Sequence, residues 1–317
     1  MRVPVQKPAR RSCLAVPASS PRKLEKAAGL AADELVLDLE DAVAVAAKDE
    51  ARAAAVEALA DPRWSGRTLA VRVNAAQTPW HQADLAALAG LAGQPLSIVL
   101  PKVESAGDLE RVDRLLDEAE AGTRERPLRV QALIETAAGL ARIGEIAAAS
   151  DRLEGLIIGY ADLAASLGRS RAAAAELETW RPAQEAVLVA ARANGLQAID
   201  GPYLGIEPDE GFLAAARRAS GLGFDGKWAI HPSQLQALNE IFTPDQEEVE
   251  HARAVIAALE QAEREGGAGA VALDGEMLDE ALRARALRVL ARAGEAADGT
   301  KSGSADRKSA RRGEGSG

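Results

Sequence analysis

Eight short apolar runs, each followed by a longer Ala/Leu/Glu/Arg segment, constrain this chain more than any other feature. The runs are Ser12–Pro17, Glu34–Leu39, Thr68–Val73, Ser97–Pro101, Val130–Glu135, Gly155–Ile158, Gln197–Ile199 and Lys227–Ile230. Several are continuous rather than alternating, such as Leu96-Ser97-Ile98-Val99-Leu100 and Gly155-Leu156-Ile157-Ile158-Gly159. Strands of that kind are buried on both faces, as in a parallel sheet covered by helices. The intervening segments, such as Lys48–Leu59 and Ala106–Ala119, have helical spacing. Eight βα units in a row predict an α/β fold, a closed (β/α)8 TIM barrel, rather than an open doubly wound sheet. An open dinucleotide-binding sheet would carry a glycine-rich fingerprint after the first strand. That turn reads Pro17-Ala18-Ser19-Ser20-Pro21 here, and no GxGxxG is present. Hydrophobic residues make up 47% of the chain but aromatics only 3%, which suits helices packed on an aliphatic sheet.

The expected organisation is a flexible N-terminus over 1–10, the barrel over 11–242, a helical extension over 243–295 and a disordered basic tail over 296–317. The extension is read as two helices, Asp245–Glu265 and Met277–Ala293, on either side of Gly266-Gly267-Ala268-Gly269. Such an appendage is either a lid or oligomer arm, or a cover for the barrel's outer surface. The net charge of −10 disfavours general nucleic-acid binding. Lys301, Arg307, Lys308, Arg311 and Arg312 make the tail locally basic, which reads as a solvated segment. Cys13 is the single cysteine, so there is no intrachain disulfide and no zinc-type Cys/His cluster. No run has the length of a membrane-spanning helix, and Arg2, Lys7, Arg10 and Arg11 precede no signal-type apolar region. A soluble cytoplasmic protein with no membrane or nucleic-acid partner is the expectation.

In a barrel the chemistry lies at the C-terminal ends of the strands. Those ends read Asp38-Leu39-Glu40-Asp41, Arg72-Val73-Asn74, Pro101-Lys102, Glu135-Thr136, Tyr160-Ala161-Asp162 and Ile230-His231-Pro232. Carboxylates with few His or Cys companions suit a hard cation, and Mg²⁺ takes one or two of them. Glu135 and Asp162 close neighbouring strands and are the candidate pair. Taken singly, each would more often be a helix cap or a structural ion pair than a functional group. Arg72 could pair with Glu40 or Asp41, bind a substrate oxygen, or do both, because a guanidinium has five donors. His231 could enter a helix beside the barrel mouth or touch substrate. Arg22, Lys23 and Lys26, on the first turns after strand one, form a basic face able to meet a phosphate.

These motifs, in this order, resemble the HpcH/HpaI aldolase and citrate lyase β-subunit superfamily, on the branch of malyl-CoA and citramalyl-CoA lyases. The likeness runs from about Arg11 to about Ala293. It is carried by Arg11-Ser12-Cys13-Leu14-Ala15-Val16-Pro17, Leu37-Asp38-Leu39-Glu40-Asp41-Ala42-Val43, Val71-Arg72-Val73-Asn74 and Leu100-Pro101-Lys102-Val103-Glu104-Ser105. Further landmarks are Ile134-Glu135-Thr136-Ala137, Asp162-Leu163-Ala164-Ala165-Ser166-Leu167-Gly168, Gly195-Leu196-Gln197-Ala198-Ile199-Asp200 and Gly223-Phe224-Asp225-Gly226-Lys227-Trp228-Ala229-Ile230-His231-Pro232.

The resemblance implies a homotrimer or hexamer, with Mg²⁺ held by Glu135 and Asp162. It implies that Arg72 holds the oxygen that becomes an enolate. Arg22 and Lys26 would touch the phosphates of coenzyme A, and Ile230 and His231 would line the CoA site. Met277-Leu278-Asp279 looks like a lid motif whose aspartate reaches a neighbouring subunit, making Asp279 the candidate proton carrier. The implied activity is Mg²⁺-dependent retro-aldol cleavage of a β-hydroxyacyl-CoA to an acyl-CoA and a 2-oxoacid. The alternative is a citrate lyase β-type subunit acting on a carrier-protein thioester. Ala15, Ala18-Ser19, Ala161 and Glu280 depart from the common pattern, which leaves the acyl group open.

Overall fold

The structure is a computed structural model that describes residues 8–120, 127–264, 271–273 and 275–294. The chain divides into two compact units, at Thr243 and Pro244. In the first unit, eight parallel strands close into a barrel in sequential order, with β8 pairing back to β1. They are β1 (Ser12–Pro17), β2 (Glu34–Asp38), β3 (Thr68–Arg72), β4 (Leu96–Leu100), β5 (Arg129–Ile134), β6 (Leu153–Ile158), β7 (Gln197–Asp200) and β8 (Gly226–Ala229). The crossovers carry α1 (Pro21–Ala28), α2 (Lys48–Ala60), α3 (His81–Ala89), α4 (Ala106–Ala119), α5 (Ala137–Ala141) and α6 (Ile143–Ala148). They continue with α7 (Tyr160–Ser166), α8 (Arg171–Ala175), α9 (Arg181–Ala193) and α10 (Glu210–Leu222), and α11 (Leu235–Ile241) follows the last strand.

The two-residue period of the strands divides the core in two. Cys13, Val36, Ala70, Val99, Leu133, Ile157, Ile199 and Trp228, one from each strand, fill the barrel interior. Their neighbours, such as Leu35, Leu37, Leu69, Val71, Ala132 and Ile134, belong to the separate layer under the helices. Continuing the inward parity one step in the C-terminal direction reaches Asp38, Arg72 and Glu135. Continuing it the other way reaches Glu34, Ser97, Gln131 and Gln197, all buried.

Arg10 meets that lower layer. The expected flexible N-terminus does not extend to it, since Arg10 is buried and donates from Nε to Glu34 at 2.8 Å. It also bonds Gln197 and Glu154. A cation held at the closed end of the barrel compensates the inward carboxylate of Glu34, which would otherwise be uncompensated in a dry interior. Residues 1–7, the glycine link over 266–269 and the tail over 296–317 lie outside the described residues.

The second unit contains α12 (Gln246–Arg264), a hairpin of β9 (Val271–Leu273) and β10 (Glu276–Leu278), and α13 (Glu280–Arg292). Val249, Ala252, Val255, Leu259, Leu278, Ala286 and Leu290 form its core. The helix expected from Met277 therefore begins later. Met277 and Leu278 are extended, Asp279 is the N-cap, and its carboxylate accepts from Leu282 N–H at 3.0 Å. The hairpin turn holds Gly275 at φ +86°, a conformation open to glycine at little cost. Among the described residues, no helix is long and apolar enough to cross a membrane.

Candidate active site

The C-terminal rim of the barrel gathers charge from four elements. Arg72, the last residue of β3, is buried and holds Asp38 in a two-point grip, from Nε at 2.7 Å and Nη2 at 2.6 Å. Its Nη1 lies 3.0 Å from Glu40 and 3.6 Å from Asp41. Burial works against the guanidinium's charge, but Asp38, Glu40 and Asp41 outweigh it and hold its pKa above the ordinary value. Both pairings expected from sequence are present, yet the principal partner is Asp38. The Arg72 guanidinium carbon sits 5.5 Å from the ring centre of Trp228, a member of the barrel's interior layer.

The loop after β2 is tied down by Lys48, whose buried Nζ donates to the carbonyls of Leu39 at 2.8 Å and Glu40 at 2.7 Å. Asp38 also caps this loop, accepting from the N–H groups of Glu40 and Ala42. Glu40 is consequently fixed as well as buried. Its Oε2 approaches Arg72 without hydrogen-bond geometry and has no hydrogen-bond partner among the described residues. Burial raises the pKa of Glu40 against the pull of Arg72.

Glu135 follows β5 and is 2% exposed. Its Oε1 accepts from the Lys102 backbone N–H at 2.9 Å, while among the described residues no hydrogen bond reaches Oε2. Gly159, just beyond β6, makes room for it: a Cβ there would lie 2.6 Å from Glu135 Oε2. Burial first, then the charges of Glu40 and Asp162, push the Glu135 carboxyl from 4.5 up to about 8, against Lys102 and Arg72. Asp162, on the first turn of α7, is 39% exposed at its side chain and faces the same cluster.

Lys102 was not singled out by sequence reasoning. Its Nζ lies 3.2 Å from Glu40 Oε1 and 3.8 Å from Asp162 Oδ1. Its backbone has φ +53°, and it is the one non-glycine residue with positive φ among those described. That conformation costs a non-glycine residue roughly 1–2 kcal/mol. The strain coincides with the N–H aimed at Glu135. Nothing in the one-letter sequence signals it.

The donor set fits a small hard cation. Glu135 and Asp162 offer oxygen only, one Glu135 oxygen is unengaged, and the cluster carries repulsion that a divalent charge would relieve. Among the described residues, no group of three or more His, Cys, Asp or Glu is arranged to hold a metal unaided. Mg²⁺ accommodates this by keeping water and substrate in its remaining positions.

The other expected site residues are exposed. Arg22 and Lys26 stand on α1 and form no ion pair among the described residues. Ile230 is 38% exposed, and its N–H donates to Gln234. His231 caps the following Pro232–Gln234 turn with Nδ1 beside Ser233, the helix-entry role that sequence had left open. Asp279 is exposed at the head of α13.

The profile of the HpcH/HpaI aldolase/citrate lyase family matches residues 11–232. The chain belongs to that family. It is 40% identical over 280 residues to the L-malyl-CoA/beta-methylmalyl-CoA lyase of Cereibacter sphaeroides, covering 83% of this chain and 88% of that enzyme. It is also 40% identical over 290 residues to the (3S)-malyl-CoA thioesterase of the same species, covering 89% and 94%. Among solved structures it matches the CitE protein of Mycobacterium tuberculosis in complex with magnesium, acetoacetate and coenzyme A. That match has a TM-score of 0.70 and 37% identity, over 90% of this chain and 99% of that one.

Proposed function

We propose that this protein is a Mg²⁺-dependent CoA-ester lyase. It cleaves, reversibly, the carbon–carbon bond of a β-hydroxyacyl-CoA such as malyl-CoA or citramalyl-CoA, yielding an acyl-CoA and a 2-oxoacid. The observation that carries this reading is the juxtaposition of Glu135, Asp162 and Glu40 with a buried, fixed Arg72 at one barrel rim.

Glu135 and Asp162 are the metal ligands in this reading. A magnesium ion held by them would supply positive charge to the 2-oxoacid half. As the bond breaks, its electron pair passes to the thioester half, which becomes an enolate. Arg72, oriented by Asp38, provides fixed positive charge where that oxygen turns anionic, an effect that is large in a water-poor site. The hydroxyl of the substrate loses its proton to Asp279 and becomes the 2-oxoacid carbonyl, and Asp279 then delivers that proton to the enolate carbon. Arg22 and Lys26 meet the CoA phosphates, and Ile230 and His231 line the CoA site. The protein works in the cytoplasm as a homotrimer or hexamer, with Asp279 contributed by a neighbouring chain. The exposure of Asp279 and of the adjacent Met277, at 71%, suits a segment that meets another surface.

A second reading, thioester hydrolysis, is favoured by the similarity to the (3S)-malyl-CoA thioesterase over 290 residues. A citrate lyase β-type role on a carrier-protein thioester is the third. One experiment separates them. Malyl-, methylmalyl- and citramalyl-CoA are supplied with Mg²⁺, and acetyl-CoA, propionyl-CoA, glyoxylate, pyruvate, free CoA and free malate are followed. Acyl-CoA with a 2-oxoacid, lost in Glu135→Ala, is the expected result. Free malate with free CoA would establish hydrolysis. Inertness toward CoA esters with cleavage of a carrier-bound thioester would establish the third role.

A further inference from the structure

Lys102 has no part in the scheme above, yet it occupies the centre of the carboxylate cluster. Its ammonium spans Glu40, from the loop after β2, and Asp162, from the turn after β6. Its own N–H fixes Glu135, from the end of β5. One residue just beyond β4 therefore touches three acidic groups that follow three other strands. Its side chain is 31% exposed, so it lines the mouth of the site instead of being sealed in the wall.

A lysine merely solvated at a rim would show neither the left-handed backbone nor two acidic partners from separate elements. A lysine serving only as scaffold would be buried with saturated donors, as Lys48 is on the carbonyls of Leu39 and Glu40. Lys102 instead makes one close contact, with Glu40, and one loose contact, with Asp162, the residue assigned to the metal. An ammonium and a divalent cation that share a carboxylate repel each other. The charge that relieves Glu40, Glu135 and Asp162 in the metal-free state must therefore yield when the metal enters.

We propose that Lys102 is a resident counter-cation of this site, which magnesium has to push away from Asp162, and which thereby sets how weakly the metal is held. The ammonium stays beside Glu40 in the absence of metal, so the carboxylates keep a counter-charge between occupants. This rests on Glu135 and Asp162 being the metal ligands.

The test is calorimetric titration of Mg²⁺ alone into the full-length, substrate-free protein, comparing wild type with Lys102→Gln and Lys102→Arg at one pH and ionic strength. Circular dichroism verifies that each variant is folded. Removing a unit positive charge at ion-pair distance from ligand oxygens is expected to tighten Mg²⁺ binding about tenfold or more in Lys102→Gln. Lys102→Arg, which keeps the charge, should stay within about threefold of wild type on the same reasoning. An unchanged or weaker affinity in Lys102→Gln overturns the proposal, as does equal tightening in Lys102→Arg. Failure of the metal assignment looks different: wild type and Lys102→Gln would both fail to bind Mg²⁺. Binding by Lys102→Gln alone would support the counter-cation in its strongest form.

Discussion

Magnesium entry at neutral pH is expected to expel close to one proton, and the proton comes from Glu135. Burial, with Glu40 and Asp162 nearby, moves this carboxyl from 4.5 to about 8 in the metal-free protein. A group titrating there is about nine-tenths protonated at pH 7 and about one-tenth protonated at pH 9. A metal ligand must be deprotonated, so binding releases about 0.9 proton at pH 7 and about 0.1 at pH 9. The same rise has a stability consequence. A folded-state value above the unfolded one favours the fold fully below about 4.5, and the contribution is lost as pH climbs through about 8. At about 1.4 kcal/mol per pH unit, that interval amounts to on the order of 5 kcal/mol. Glu135→Gln keeps the neutral form at all pH. With a chelator present, variant and wild type should therefore have similar stability in acid, and the variant should be the more stable by pH 9. Calorimetry in buffers of different ionisation enthalpy counts the protons, and denaturant titration reads the stability. Zero proton release at pH 7, or a stability difference between the two proteins that does not change with pH, would refute the reasoning.

Arg72→Lys keeps the charge but loses the two-point grip on Asp38, and turnover should fall roughly 10²–10³-fold with Mg²⁺ affinity little changed; steady-state kinetics retaining a tenth of wild-type turnover would remove Arg72 from its role. Lys227→Met strands the buried Asp200, its 2.6 Å partner behind the β7 and β8 ends, and should cost about 3–5 kcal/mol in denaturant unfolding, where a loss under about 1 kcal/mol would contradict the pairing. Co-expressed Glu135→Ala and Asp279→Asn chains, each inactive alone, should regain about a quarter of wild-type activity in hybrid oligomers if the site is shared between subunits; no recovery in a verified hybrid would place both residues in one chain's site or remove Asp279 from it.

Much of the rim was legible before any coordinates. The strand ends marked Asp38, Arg72, Glu135 and Asp162, because a buried strand that stops at a charged residue must deliver it somewhere polar. The inward parity of Asp38 was legible too, from Glu34 and Val36 on the same strand, and it could have named Arg72's principal partner. Lys102 and Glu40 stand in those motifs, Glu40 as a candidate partner of Arg72, but nothing in the motifs marks the contact between them. What made them part of the site is the φ of one residue and the approach of loops that are far apart in sequence. The hairpin that precedes α13 also escaped. Met277 and Leu278 fit a helical apolar period, and only the cap at Asp279 and the burial of Leu278 show where the helix begins.

By itself, then, the sequence determined the eightfold alternation, the barrel it closes into and the polar residues its strands present. Those follow from local periodicity, in which hydrophobic pattern and backbone repeat must agree over five or six residues. Tertiary structure alone decided the electrostatics of the site. A carboxyl at about 8, an ammonium between two acids and a guanidinium gripping Asp38 are properties of distance and dielectric. Neither exists until the barrel has brought β2 to β6 around one mouth and excluded water from it.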